Sequence, residues 1–131
     1  MPAPAVVEGM LRAGPEAPEA ARRLVRDLGL DPETLGNLEL VVSELVANSV
    51  VHGGAESTGE ISLRLQAGAE RVSGEIYDGG AGFAWAPHEP ELTEPGGLGL
   101  VLVDRLAERW GMLRRSPFCV WFVMPQPRTT D

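Results

Sequence analysis

Residues 38–52 read LELVVSELVANSVVH, an apolar segment too long for a strand and interrupted at helical intervals by polar side chains. At ~100° per residue, Glu44, Asn48 and His52 fall within an arc of roughly 80°, with Asn37 in the same arc. Leu40 and Val51 flank this strip on one side, Leu38 and Leu45 on the other, and Val42, Val46, Ala47 and Val50 fill most of the remaining circumference. A surface helix normally has a broad polar face and one apolar stripe. Here the proportions are reversed. A carboxylate and a carboxamide in such surroundings lose hydration unless they are paired or put to use. The strip also fits the solvent edge of a half-buried helix, and Glu44 and Asn48, one turn apart, also fit a local pair.

Upstream, Asp31-Pro32-Glu33 predicts the helix start, Asp as N-cap and Pro in the first turn. Gly53-Gly54 predicts its end after His52. An earlier helix is expected over residues 15–28, stopped by Gly29, and a strand over residues 6–12. Downstream, Ile61, Leu63 and Leu65 alternate with polar residues, and residues 71–77 form a second strand, so a hairpin turning at 67–70 is expected. Residues 78–99 are rich in Gly and Pro without periodicity, a length of loop that is usually functional. A helix over 98–110 ending at Gly111, a strand over 118–124 and a flexible tail over 125–131 complete the chain. The order β-α-α-β-β-loop-α-β predicts an α+β fold, a two-layer sandwich with a small, mostly antiparallel or mixed sheet and about three helices on one face.

Composition narrows the function. The 131 residues carry 11 basic and 19 acidic side chains, a formal charge of -8, and every basic residue is arginine. The acidic balance argues against nucleic acid as a partner. The missing lysine excludes a P-loop and Schiff-base chemistry. No apolar run approaches ~18 residues, so no membrane helix is expected. The first residues lack a basic, then apolar, leader pattern, so a cytoplasmic, single-domain protein spanning 1–131 is expected. Cys119 is the only cysteine and excludes an internal disulfide. In its apolar strand it reads as an inert core thiol.

Two glycine loops join the polar strip. DGGAGF, residues 78–83, follows a strand. A carboxylate there can accept from an exocyclic amine, while glycines let a ring approach; a plain turn has the same composition. GGLGL, residues 96–100, precedes a helix, where exposed N–H groups form an anion site.

Taken in order, Glu44 and Asn48 as E-x-x-x-N, Asp78, Gly80 and Gly82 as D-x-G-x-G, and Gly97 and Gly99 as a second glycine motif resemble the GHKL ATP-binding domains, the Bergerat fold of gyrase and histidine-kinase catalytic domains. The size and the phrase ELVANSVVHG are most similar to bacterial anti-sigma-factor serine kinases of the RsbW type. The resemblance implies ATP and Mg²⁺ as cofactors. It makes Asn48 the metal ligand, Glu44 the general base and Asp78 the acceptor from adenine. Gly80 and Gly82 would admit the purine. Gly97, Leu98 and Gly99 would present N–H groups to phosphates, and His52 would extend the site. Cys119 stands where the family has a threonine near adenine. The implied partners are a sigma factor, an antagonist protein that is phosphorylated, and a second copy in a homodimer. Two features depart from that pattern. No cationic side chain lies between Val72 and Asp104, and Glu89, Glu91 and Glu94 make the expected lid acidic, with only His88 to offset them. Arg22, Arg23 and Arg26, or a second subunit, would have to supply charge to the γ-phosphate. A sequestration module of the same fold, without turnover, is the alternative.

Overall fold

The computed structural model describes residues 5–52, 59–78, 97–113 and 118–126; the side chains of 51, 52 and 97–99 are outside that description. Its elements are β1 (Ala5–Arg12), α1 (Ala17–Arg26), α2 (Pro32–His52), β2 (Glu60–Ala67), β3 (Arg71–Asp78), α3 (Gly97–Leu106), β4 (Arg109–Leu113) and β5 (Phe118–Pro125).

The strands form one sheet in the order β1-β2-β3-β5-β4, and every pair is antiparallel. Alternation assigns its two faces. Ile61, Leu63 and Leu65 of β2, Val72 and Ile76 of β3, and Phe118, Val120, Phe122 and Met124 of β5 join Val41, Val42, Leu45 and Val46 of α2 in one core. The opposite, outer face carries Glu8, Arg64, Glu75 and Trp121 in one cross-strand row. Helix α1 packs on α2 and β1, and α3 on α2 and β4. The α+β two-layer architecture is therefore as expected, with a sheet antiparallel throughout.

Local chemistry explains the elements. The Thr34 N–H donates to Asp31 Oδ2 at 3.2 Å and the Leu35 N–H to the Asp31 carbonyl at 2.8 Å, the N-cap expected of Asp31-Pro32. Thr34 correspondingly holds the Asp31 carboxyl below its ordinary pKa. Gly29 ends the α1 segment at φ +68, a conformation open to glycine. In β3, Gly74 faces the core without a side chain, and a Cβ there would lie 2.5 Å from Phe122 Cε1 and 2.8 Å from Leu65 Cδ2.

Two expectations fail near the C-terminus. The helix predicted over 98–110 stops at Leu106, and Arg109–Leu113 is strand β4. Gly111 does not terminate a helix. It lies beneath Trp121, where a Cβ would come 3.0 Å from Cζ2, while its neighbours Trp110 and Met112 pack on the core. The tail expected from residue 125 begins later. Pro125 pairs with Arg71, and the Gln126 N–H donates to the Glu70 carbonyl at 2.8 Å.

Candidate functional site

The water-facing side of α2 does not coincide with its polar strip. Leu40 is 44% exposed and Gly36 is exposed, whereas Asn48 is 1% exposed and Glu44 half-buried beside it. A leucine on the outside and a carboxamide on the inside invert the usual partition, and such local conflicts concentrate at functional sites. Asn48 is thus no solvent edge.

Its side chain is oriented by its own helix. Asn48 Nδ2 donates to the Glu44 carbonyl at 2.8 Å, which leaves Oδ1 pointing away. Asn48 Oδ1 is buried and has no hydrogen-bond partner among the described residues. A buried amide oxygen without a donor is destabilising by about 1–3 kcal/mol, a cost that a bound ligand would remove. A hard cation suits it, because magnesium takes oxygen ligands and needs few from protein. The Ser49 Oγ, on the same turn, is likewise buried and has no hydrogen-bond partner among the described residues. The sequence reading passed over Ser49, whose signal is a hydroxyl within a run of valines and alanines.

Asp78 is the last residue of β3, the central strand. It is 2% exposed and faces the helical layer with Ile76, flanked by its cross-strand partners Ile61 and Phe118. Because α2 also packs on β3, Asn48 and Asp78 share the helix-facing side of the sheet. Strand β3 ends on this side at Asp78, and α3, which packs on α2, begins with Gly97, Leu98 and Gly99. Gly80, Gly82, His88 and the acidic lid lie outside the described residues; His52 ends α2, its side chain undescribed.

Cys119 requires a correction. It pairs with Tyr77, so it stands on the outer face, across the sheet from Asp78, and cannot adjoin a base held there. Its place opposite Asp78 belongs to Phe118. Nor is it a thiol of the main core, although it is buried. With Glu75, Leu113 and Trp121 it lines an outer-face cleft of about 340 Å³. Tyr77 donates to Glu75 Oε2 on this face. That hydrogen bond, with burial and the adjacent Cys119, pushes the Tyr77 pKa up to about 12. Since Tyr77 is the only tyrosine, tyrosinate absorbance is expected to appear about two units above the ordinary value of ~10. The bonded phenol stabilises the fold fully below pH ~10, and this contribution is lost as pH rises through about 12. A midpoint at the ordinary value would contradict the Tyr77–Glu75 bond.

The arginines expected to serve a γ-phosphate are engaged elsewhere. Arg22 pairs with Glu19 at 2.6 Å and Arg26 with Glu39 at 2.9 Å, while Arg23 stands 3.8 Å from Glu19. These are exposed pairs of small energy, so they redirect the side chains more than they stabilise the helix.

No helix among the described residues is long and apolar enough to cross a membrane. No curated protein matches the chain. Among solved structures, the RsbU and RsbW domains of Rv1364c from Mycobacterium tuberculosis share its fold with a TM-score of 0.64 at 18% identity. That match covers 97% of this chain, which spans only 34% of the larger protein. The histidine kinase-like ATPase domain matches residues 11–123, from the end of β1 into β5. An inward carboxamide on α2, a buried aspartate ending the central strand and a glycine-led third helix thus lie within one matched span, and the chain belongs to the histidine kinase-like ATPase domain family.

Proposed function

We propose that the protein binds ATP with Mg²⁺ and acts as an anti-sigma-factor-type serine/threonine kinase in a partner-switching circuit. The observation that carries the reading is the buried, unbonded Oδ1 of Asn48, fixed by its own amide bond to Glu44. In this reading Asn48 holds the metal, which when bound neutralises charge on the phosphates. Asp78 accepts from the adenine amine, with Gly80 and Gly82 admitting the ring. Gly97, Leu98 and Gly99 offer backbone N–H groups to phosphate oxygens at the start of α3. Glu44, half-buried one turn before Asn48, takes the proton from the attacking serine hydroxyl of an antagonist protein. His52 extends the row at the end of α2. In this reading the partners are a sigma factor and its antagonist, as the resemblance to RsbW-type proteins implies.

Glu44→Ala is expected to bind nucleotide normally and to lose phosphoryl transfer by about 10²–10⁴-fold. The measurement is transfer of labelled γ-phosphate to the cognate antagonist, beside calorimetric nucleotide binding. Unchanged transfer would remove Glu44 from the role of base.

Sequestration without turnover is favoured by one observation: Arg22 and Arg26 are engaged by Glu19 and Glu39. Nucleotide binding with no transfer to any antagonist, in the unaltered protein, would select that reading.

A further inference from the structure

The Ser49 Oγ is the one hydroxyl among the described residues that is buried without a hydrogen-bond partner. Its helix offers relief of a kind that its neighbours take. Ser43 donates to the Leu40 carbonyl at 3.2 Å, and Asn48 Nδ2 to the Glu44 carbonyl at 2.8 Å. The Ser49 hydroxyl makes no such bond back to its own helix, so among the described residues its proton is committed to no acceptor. Leu38, Val42, Leu45 and Ser49 recur at helical intervals within an arc of roughly 60° on α2. The three apolar members are fully buried in the core that also holds Ile61, Ile76 and Phe118. Those residues surround Asp78: Ile61 and Phe118 are its cross-strand partners, and Ile76 precedes it on the same face. Residues 53–59 join the end of α2 to the start of β2, where Ile61 stands opposite Asp78. An apolar stripe of α2 and an apolar column of β3 thus meet, and each finishes on a buried polar side chain.

We propose that Ser49 reads the base: its hydroxyl donates to N1 of the adenine whose exocyclic amine donates to Asp78. This role rests on the nucleotide-binding reading above and makes Ser49 the group that tells adenine from its analogues. Adenine presents a donor and an acceptor side by side, the N6 amine and the ring nitrogen N1. Asp78 as acceptor satisfies the amine and leaves N1 in want of a donor. The residues that flank Asp78 across the sheet supply none, because Ile61 and Phe118 are apolar. The facing helix does, at Ser49. Depth selects N1 over N7, the other acceptor next to the amine. N7 lies on the ring that carries the sugar, whereas N1 lies at the far end of the base, and Ser49 is fully buried. Successive helical residues point about 100° apart, so Asn48 and Ser49 address different parts of one ligand, the metal on its phosphates and its base.

Calorimetric titration of the unaltered protein and of Ser49→Ala with ATP, 1-deaza-ATP and 7-deaza-ATP, each with Mg²⁺, tests the assignment. In the unaltered protein, 1-deaza-ATP is expected to bind about tenfold more weakly than ATP, and 7-deaza-ATP about as well as ATP. Ser49→Ala is expected to bind ATP about tenfold more weakly, and 1-deaza-ATP no worse than it binds ATP. Its thermal midpoint without nucleotide is expected to be unchanged or higher, since the hydroxyl it loses leaves no bonded partner behind. A packing role for Ser49 would lower that midpoint instead. Equal affinity of the unaltered protein for ATP and 1-deaza-ATP overturns the proposal, and that comparison needs no variant. So does a Ser49→Ala protein that binds ATP normally, or one that still discriminates against 1-deaza-ATP. Each of these results leaves ATP binding in place and strikes Ser49 alone. Failure of the unaltered protein to bind ATP strikes the nucleotide reading and Ser49 together.

Discussion

Asn48→Ala is expected to weaken magnesium-dependent nucleotide binding by about a hundredfold or more while leaving the fold intact. Removing even an outer partner of a metal ligand costs 10–100-fold, and here the ligand itself is deleted. The substitution also removes the buried Oδ1 that lacks a donor, so its effect on stability is expected to be small or favourable. That opposition is diagnostic. A residue serving packing alone would lose stability and binding together. Calorimetric titration of ATP and ADP, with Mg²⁺ and with a chelator, beside thermal unfolding, separates the two. Binding unchanged by the substitution, or by the chelator, would remove Asn48 from the proposed site.

Phe122→Ala is expected to lower unfolding free energy by about 3–5 kcal/mol, enough to unfold a marginal domain. The ring is fully buried and its tip occupies the space above Gly74. Gly74→Ala, the complementary change, is expected to cost about 1–3 kcal/mol through overpacking, because its methyl would meet that same ring tip. Combining them is expected to cost less than the sum, since the new methyl occupies part of the void left by the ring. Urea unfolding of the two single variants and the double variant measures this. Strict additivity would show that Gly74 and Phe122 do not compete for one volume.

The contrast between Gly74 and Gly111 marks what local pattern can and cannot carry. Helix α2 was legible because Asp31-Pro32 is a start signal and its apolar positions extend over many turns. The β2–β3 hairpin was legible because Ile61, Leu63 and Leu65 alternate with polar residues. Strand β4 was not. RWGML is five residues, too short for a period, and its glycine imitates a helix stop. The assignment of Cys119 failed for a related reason. FCVWFVM is apolar in both phases, so alternation says nothing about which phase meets the helices. Only its pairing with Tyr77 decides that, and pairing is a non-local property. Of the site, Asn48 was readable from the polar strip on its helix and Asp78 from its place at the end of a strand. Their burial was not, because for Asn48 it depends on how far α2 is rotated against the sheet and for Asp78 on which strands flank it. The polar strip and the water-facing side differ by that rotation, which is why Leu40 is outside and Asn48 inside.

The position of Asp78 on the middle strand has a consequence for hydrogen exchange. An edge residue can open by fraying, at little free energy. Asp78 is paired on both sides, with Ile61 and with Phe118. Asp78 is also the last residue of β3, so freeing it means fraying the end row Ile61–Asp78–Phe118 from two neighbours at once rather than from one. A base held by this carboxylate, as proposed, would be tethered to a row of residues held from both sides. Its binding energy adds to global stability rather than to a local opening, as RT ln(1 + [L]/Kd). Ligand protection would thus be read across the amides of all three central strands, far beyond the residues that touch it.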